Sequence, residues 1–119
     1  MIWGLDIATR CTGWCAGDGA QPPETGVLLY DHVGEDLGLL GMLWRKDLTR
    51  LEQLFGRPDH IIYDQPILLP HDKCLPLRKI SGMGMILEVW ASDRPDPIPV
   101  HEVTLQEIKT RVTGSHKAK

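Results

Sequence analysis

The apolar residues of this chain change period near residue 36, and that change limits the folds open to it. Leu37, Leu40, Trp44, Leu48, Leu51 and Phe55 recur at steps of three and four, which marks one face of a helix of about five turns. Asp36 stands where an N-cap belongs, and Gly56 with Pro58 closes the run. Before residue 36 there are only short apolar segments cut by turn residues. Residues 2–7 predict a strand buried on both faces, and residues 12–17 predict a second strand after a four-residue turn, so the two form a hairpin. Asp18–Pro23 is a loop by composition, and residues 25–31 predict a third strand. After the helix, residues 60–65 predict a fourth strand ending at Pro66, followed by a connection over 67–75. A second helix is predicted over 76–92, with Leu77, Ile80, Met83, Leu87 and Trp90 on one face. Pro95 and Pro97 break it, residues 97–102 predict a short fifth strand, and Thr104 caps a last helix over 105–112 with Leu105, Ile108 and Val112 inward.

This order predicts one α/β domain. The first three strands form an antiparallel meander. The fourth and fifth are each reached through a helix, so they lie parallel, with right-handed crossovers. The result is a mixed five-stranded sheet with helices on both faces. Trp14, Trp44 and Trp90 fall on apolar faces and are assigned to the core. Gly82 and Gly84 lie inside the second helix, where each costs about 1 kcal/mol relative to alanine. They predict close approach of another backbone or of a substrate strand.

The 119 residues leave room for a single domain. Hydrophobic residues at 42% and charged residues at 24% exclude disordered and fibrous classes. No apolar run reaches the length of a membrane helix, and the opening Met-Ile-Trp-Gly-Leu-Asp is no signal peptide; a cytoplasmic protein without a membrane partner is expected. Three cysteines argue against a disulfide framework, and neither Cys11 with Cys15 nor the solitary Cys74 has the pairing of a zinc site. The net charge of −3 is unevenly spread: residues 1–107 hold nine basic and sixteen acidic residues, whereas four basic and no acidic residues follow Glu107. An acidic body with a basic end fits either a metal-dependent enzyme acting on a polyanion or a solvated terminus.

Two acids stand on predicted strands. Asp6 is flanked by Leu5 and Ile7, and Asp64 follows Ile61, Ile62 and Tyr63. Carboxylates inside a sheet are costly unless paired or bound to a metal. If the first and fourth strands are neighbours, both can face one point and suit Mg²⁺ or Mn²⁺. Either acid could instead cap a helix or sit at a strand end in water.

The stretch from Trp3 to Trp14, a strand-Asp-turn-strand with Thr12-Gly13 opening the second strand, resembles the first motif of RuvC-like Holliday-junction resolvases. Ile61-Ile62-Tyr63-Asp64-Gln65-Pro66 resembles their second motif, where the family usually carries Glu rather than Asp, and looks most like the phage and prophage branch. The glycine-bearing helix, the strand Pro97–Glu102 and Ile108-Lys109 before Thr113-Gly114 run in the family's order. The resemblance implies a ribonuclease H-like nuclease domain over 1–119 and a homodimer that cuts branched DNA. Its two Mg²⁺ or Mn²⁺ ions would be held in part by Asp6 and Asp64, with no small-molecule cofactor. It implies DNA contacts at Lys109 and, more loosely, at Lys117 or Lys119, and a DNA face at Arg78 and Lys79. Arg10, in the turn after Asp6, is either solvated or a phosphate contact; His71 and Asp72 lie in a connection that could touch DNA.

Two features depart from the family pattern. The other two acidic ligands belong on a helix after the basic segment, so the chain as given is expected to fold but not to cut. Ile67 replaces the aromatic that cellular resolvases place three residues after the second carboxylate. Glu102 is read as structural. The alternatives are an RNA-processing nuclease of the YqgF type, which would carry a Gly-Leu-Pro turn at the second motif, and a non-catalytic module that binds branched DNA. An ATP-binding actin-like protein would need two domains.

Overall fold

The computed structural model of the chain describes residues 1–64 and 74–103. Five strands and two helices are arranged as β1 (Ile2–Asp6), β2 (Cys11–Gly17), β3 (Glu24–Leu29), α1 (Leu37–Phe55), β4 (His60–Asp64), α2 (Cys74–Ser92) and β5 (Val100–Glu102). The expected helix over 105–112 and most of the connection over 67–75 lie outside the described residues. A single-turn 3-10 helix, Asp31–Val33, ends the chain's run along β3 two residues before the expected strand end.

The sheet order is β3-β2-β1-β4-β5. β1, β2 and β3 pair antiparallel, whereas β4 pairs parallel with both β1 and β5, as the element order requires. β5 is shorter than expected because Pro97 and Pro99 have no N–H for a ladder. The Pro99 carbonyl nevertheless accepts from Ile61 N, and Ile98 N donates to Ala91 at the end of α2.

Alternation on β1 and β4 divides the molecule. Trp3, Leu5, Ile7, Ile61 and Tyr63 are buried against Leu40, Trp44, Leu48 and Leu51 of α1 and Met83, Leu87 and Ala91 of α2. Both described helices therefore cover the same face; of the helices expected on both faces, the one over 105–112 lies outside the described residues. The opposite face carries Gly4, Asp6, Ile62 and Asp64, and on β2 and β3 Cys15, Val27 and Leu29. Val27 is 60% and Leu29 64% exposed among the described residues. The expectation that β1 is buried on both faces is thus corrected: Ile2 and Asp6 are exposed, because a strand presents successive side chains to opposite faces.

Sequence signals explain the helices well. Asp36 Oδ1 accepts from Leu39 N at 2.9 Å, and Gly56 closes α1 with φ +88°. α2 opens two residues earlier than expected, with Pro76 tolerated in its first turn. Leu77 is 44% exposed rather than inward. Close approach of helices occurs at Gly41 of α1, where a Cβ would sit 3.0 Å from Ile86 Cδ1, and the space beside Gly82 is open. Trp44 Nε1 donates to the Met83 carbonyl at 2.9 Å, joining the helices inside the core. Trp3 stacks on Trp90, and Arg94 lies over the Trp90 ring while pairing with both Glu52 carboxylate oxygens. Sheet, α1 and α2 meet at that stack. Trp14 is half-buried on Phe55 and occupies the space where a Gly26 Cβ would lie, 2.6 Å from its ring.

Candidate acidic site at the ends of β1 and β4

Asp6 is the last residue of β1 and Asp64 the last of β4, and the two are register partners across the parallel pair. Partnered residues of parallel strands point to the same face, so the two carboxylates stand side by side on the face away from α1 and α2. Past them the ladder continues through Ile7 N to the Asp64 carbonyl at 2.9 Å, which holds the turn after Asp6 against the end of β4. On the other side of Asp6 lies Gly13, whose missing side chain leaves the Asp6 carboxylate unshaded. Gly4 serves a related purpose: a Cβ there would lie 2.8 Å from Cys15 Sγ. The result is a shallow groove of about 430 Å³ along the sheet face, lined by Gly4, Gly13, Cys15, Ile62, Asp6 and Asp64 among others.

The site is negative. Burial, then the neighbouring charges of Asp6 and Glu102, push the Asp64 carboxyl above the usual carboxylate range. No described cationic side chain is in ion-pair contact with either acid. Two like charges facing each other without a counter-ion disfavour ionisation, and a hard divalent cation is the natural relief. The donor set therefore fits Mg²⁺ or Mn²⁺ as a partial ligand set. Among the described residues, no group of three or more His, Cys, Asp and Glu side chains is disposed to hold a metal.

Glu102 belongs to this electrostatic setting more than its sequence position suggests. It ends β5 as the register partner of Tyr63, and the Tyr63 hydroxyl reaches its carboxylate at 3.4 Å. Burial, Glu102 and Glu88 push the Tyr63 hydroxyl up to about 12. The signal available in the sequence was a third acid at the end of a strand parallel to β4.

The other expected site residues spread around the same end of the molecule or fall outside the described region. Arg10 is exposed in the turn after Asp6, where its carbonyl accepts from Tyr30 N. Arg78 is exposed in the first turns of α2, and the Lys79 ammonium donates to the Gly34 carbonyl at 2.5 Å. Lys79 is thus a strut between α2 and the entry to α1. Both helices begin at the carboxylate end of the sheet, since each runs antiparallel to the strands beside it. Arg78 and Lys79 also line a second hollow of about 570 Å³ between α1 and α2, with Leu37, Leu40 and Met85. No acid is among its described lining residues, and none of these lines the acidic groove. Lys109, Lys117, Lys119, Ile67, His71 and Asp72 lie outside the described residues. No described helix is long and apolar enough to cross a membrane.

Comparison with solved structures places this arrangement. The chain is similar to RuvC of Thermus thermophilus, with a TM-score of 0.64 at 16% sequence identity, over 99% of this chain and 72% of that one. It is similar also to T. thermophilus RuvC in complex with a Holliday junction substrate, with a TM-score of 0.65 at 17% identity, over 99% of this chain and 71% of that one. The fold is therefore ribonuclease H-like. No protein-family model matches the chain, and no curated protein matches it in sequence.

Proposed function

We propose that the protein is a metal-dependent endonuclease of branched DNA, related to Holliday-junction resolvases and working in the cytoplasm as a homodimer. The observation that carries this reading is the pair Asp6 and Asp64, side by side at the ends of two parallel strands and without an ion-pair partner among the described residues. The likeness to a RuvC bound to a Holliday junction supports branched DNA as the substrate class. The Tyr63-Asp64-Gln65-Pro66 run supports a phage or prophage branch.

In this reading Asp6 and Asp64 would be part of the ligand set for two Mg²⁺ or Mn²⁺ ions. The chemistry those ions supply when bound is Lewis acidity toward a phosphodiester oxygen and its attacking water. The chain's own residues do the rest. Gly13 and Gly4 keep the groove floor flat, so a sugar-phosphate backbone can approach the carboxylates. Arg10 and Arg78 offset the repulsion between DNA and the acids, with Lys109, Lys117 and Lys119 as further phosphate contacts, and Lys79 adds positive field while bracing α2. Such contacts make binding depend on salt. The remaining acidic ligands lie outside residues 1–64 and 74–103.

The test is cleavage of a synthetic four-way junction by the protein with Mg²⁺ or Mn²⁺, beside linear duplex and structured RNA. Cleavage of the junction is expected. Asp6→Asn should abolish it while junction binding stays within about tenfold, because affinity comes mostly from phosphate contacts. Wild-type turnover in Asp6→Asn would refute the assignment. Cleavage of RNA alone would favour the RNA-processing reading, and junction binding without cleavage the non-catalytic one.

A further inference from the structure

His60 and His101 stand away from the acidic pair, on the same sheet face. His60 opens β4, and His101 is the central residue of β5, paired with Ile62. The imidazoles meet diagonally across the two strands, with His60 Nδ1 at 3.4 Å from His101 Nε2 and ring centroids 5.5 Å apart. Both rings are exposed. Nothing in the nuclease reading uses them.

We propose that His60 and His101 form a two-histidine chelate for Zn²⁺, separate from the acidic site. Two nitrogens each about 2.05 Å from a tetrahedral zinc lie about 3.3 Å apart, and the observed separation is 3.4 Å. In the metal-free protein the same contact is an N–H···N hydrogen bond with one ring donating; on zinc binding that ring carries its proton on its other nitrogen, so both facing nitrogens offer lone pairs to the metal. Imidazole nitrogen suits zinc, whereas the hard carboxylates of Asp6 and Asp64 suit Mg²⁺. Backbone pairing pre-sets the chelate, since parallel β4 and β5 fix both Cα positions before any metal arrives. Asp59, next to His60, adds a negative charge beside the site, and its carboxylate is held by the Met1 amine. No third His, Cys, Asp or Glu completes the set among the described residues. Water fills the other positions, so binding is weaker than at a four-ligand structural site and exchanges readily. Its structural effect falls on β5, three residues long and at the edge of the described sheet, which zinc clips to β4.

The experiment is a Zn²⁺ titration of the protein with Mg²⁺ in excess to occupy the acidic site, read by calorimetry and by the ring resonances of the five histidines. One zinc per chain is expected, shifting His60 and His101 together. His60→Ala and His101→Ala should each weaken binding at least about tenfold. The double variant should bind no more weakly than either single one, because one imidazole is not a chelate. Both positions are exposed, so the variants should fold normally, checked by their circular dichroism. The proposal is overturned if zinc moves only His32, His71 or His116, leaves all the rings unmoved, or binds either single variant with unchanged affinity. None of these outcomes bears on junction cleavage.

Discussion

Replacing one carboxylate of the acidic pair should make the metal-free protein more stable while destroying the activity proposed for it. Asp6 and Asp64 are register partners, and adjacent strands lie about 4.8 Å apart. With carboxylates about 5.5 Å apart, the repulsion is ~0.8 kcal/mol at the dielectric of water and ~3 kcal/mol at an effective dielectric of 20. Asp6 is exposed and Asp64 half-buried, so the value belongs near the lower end; like charges facing across strands cost up to about 1 kcal/mol. Asp6→Asn or Asp64→Asn should therefore gain about 0.5–1 kcal/mol, a rise in Tm of about 2–5 °C for a domain of this size. The pH dependence has a definite sign. Because the Asp64 carboxyl is raised in the folded state, the wild type gains relative stability as pH falls and loses it as pH rises through that pKa. The advantage of the Asn variants should thus be present at neutral pH and vanish near about pH 3, where carboxyls are protonated. The assay is thermal unfolding by circular dichroism in EDTA at both pH values, repeated with Mg²⁺, which should narrow the gap by stabilising the wild type. An Asn variant no more stable than wild type in EDTA at neutral pH, or an advantage unchanged in acid, would refute the reasoning.

Two further substitutions probe the scaffold that carries the site. Trp44→Phe leaves the Met83 carbonyl without its buried indole donor and should cost about 1–3 kcal/mol in urea unfolding; a neutral result would mean that water replaces the bond. Gly26→Ala drives a methyl into the Trp14 ring and should cost about 1–3 kcal/mol, with a change in tryptophan fluorescence as Trp14 shifts on Phe55; unchanged fluorescence and stability would show that β3 yields instead.

The periodic run from Leu37 to Phe55 and its Asp36 cap were fully legible in the sequence, because α1 packs by one stripe and its ends carry their own chemistry. The strand directions were legible too, since a strand reached through a helix runs parallel, whereas β4 beside β1 was only the condition under which Asp64 and Asp6 would meet. Other features depend on contacts that no local pattern announces. The sequence offers Gly82 for a close approach, but the space beside it is open and a close approach falls at Gly41, because which helix faces touch is decided by the whole core. Glu102 looked structural because its effect on Asp64 runs through the pairing of β5 with β4. The His60–His101 contact lies forty-one residues apart in sequence and becomes visible only once the β4–β5 register is fixed. Three short prolines-and-apolar residues before Val100 read as strand by composition, but the missing N–H groups of Pro97 and Pro99 decided otherwise.

The parallel pairing of β1 with β4 also ties the chemistry to folding order. The β1–β2–β3 meander is built from contacts close in sequence and can form early. The two acids are fifty-eight residues apart and meet only when a long loop has closed around α1, the slow kind of contact in folding. Side chains alternate along a strand, so a slip of one residue between β1 and β4 would swing Asp64 toward the helices and Tyr63 out of the core. The alignment is fixed at the far end, where Asp59 N donates to the Met1 carbonyl at 2.8 Å, five residues or about 16 Å of strand from Asp6. A nascent chain that has not yet delivered residues 59–64 therefore has no acidic pair, whatever the state of its first three strands.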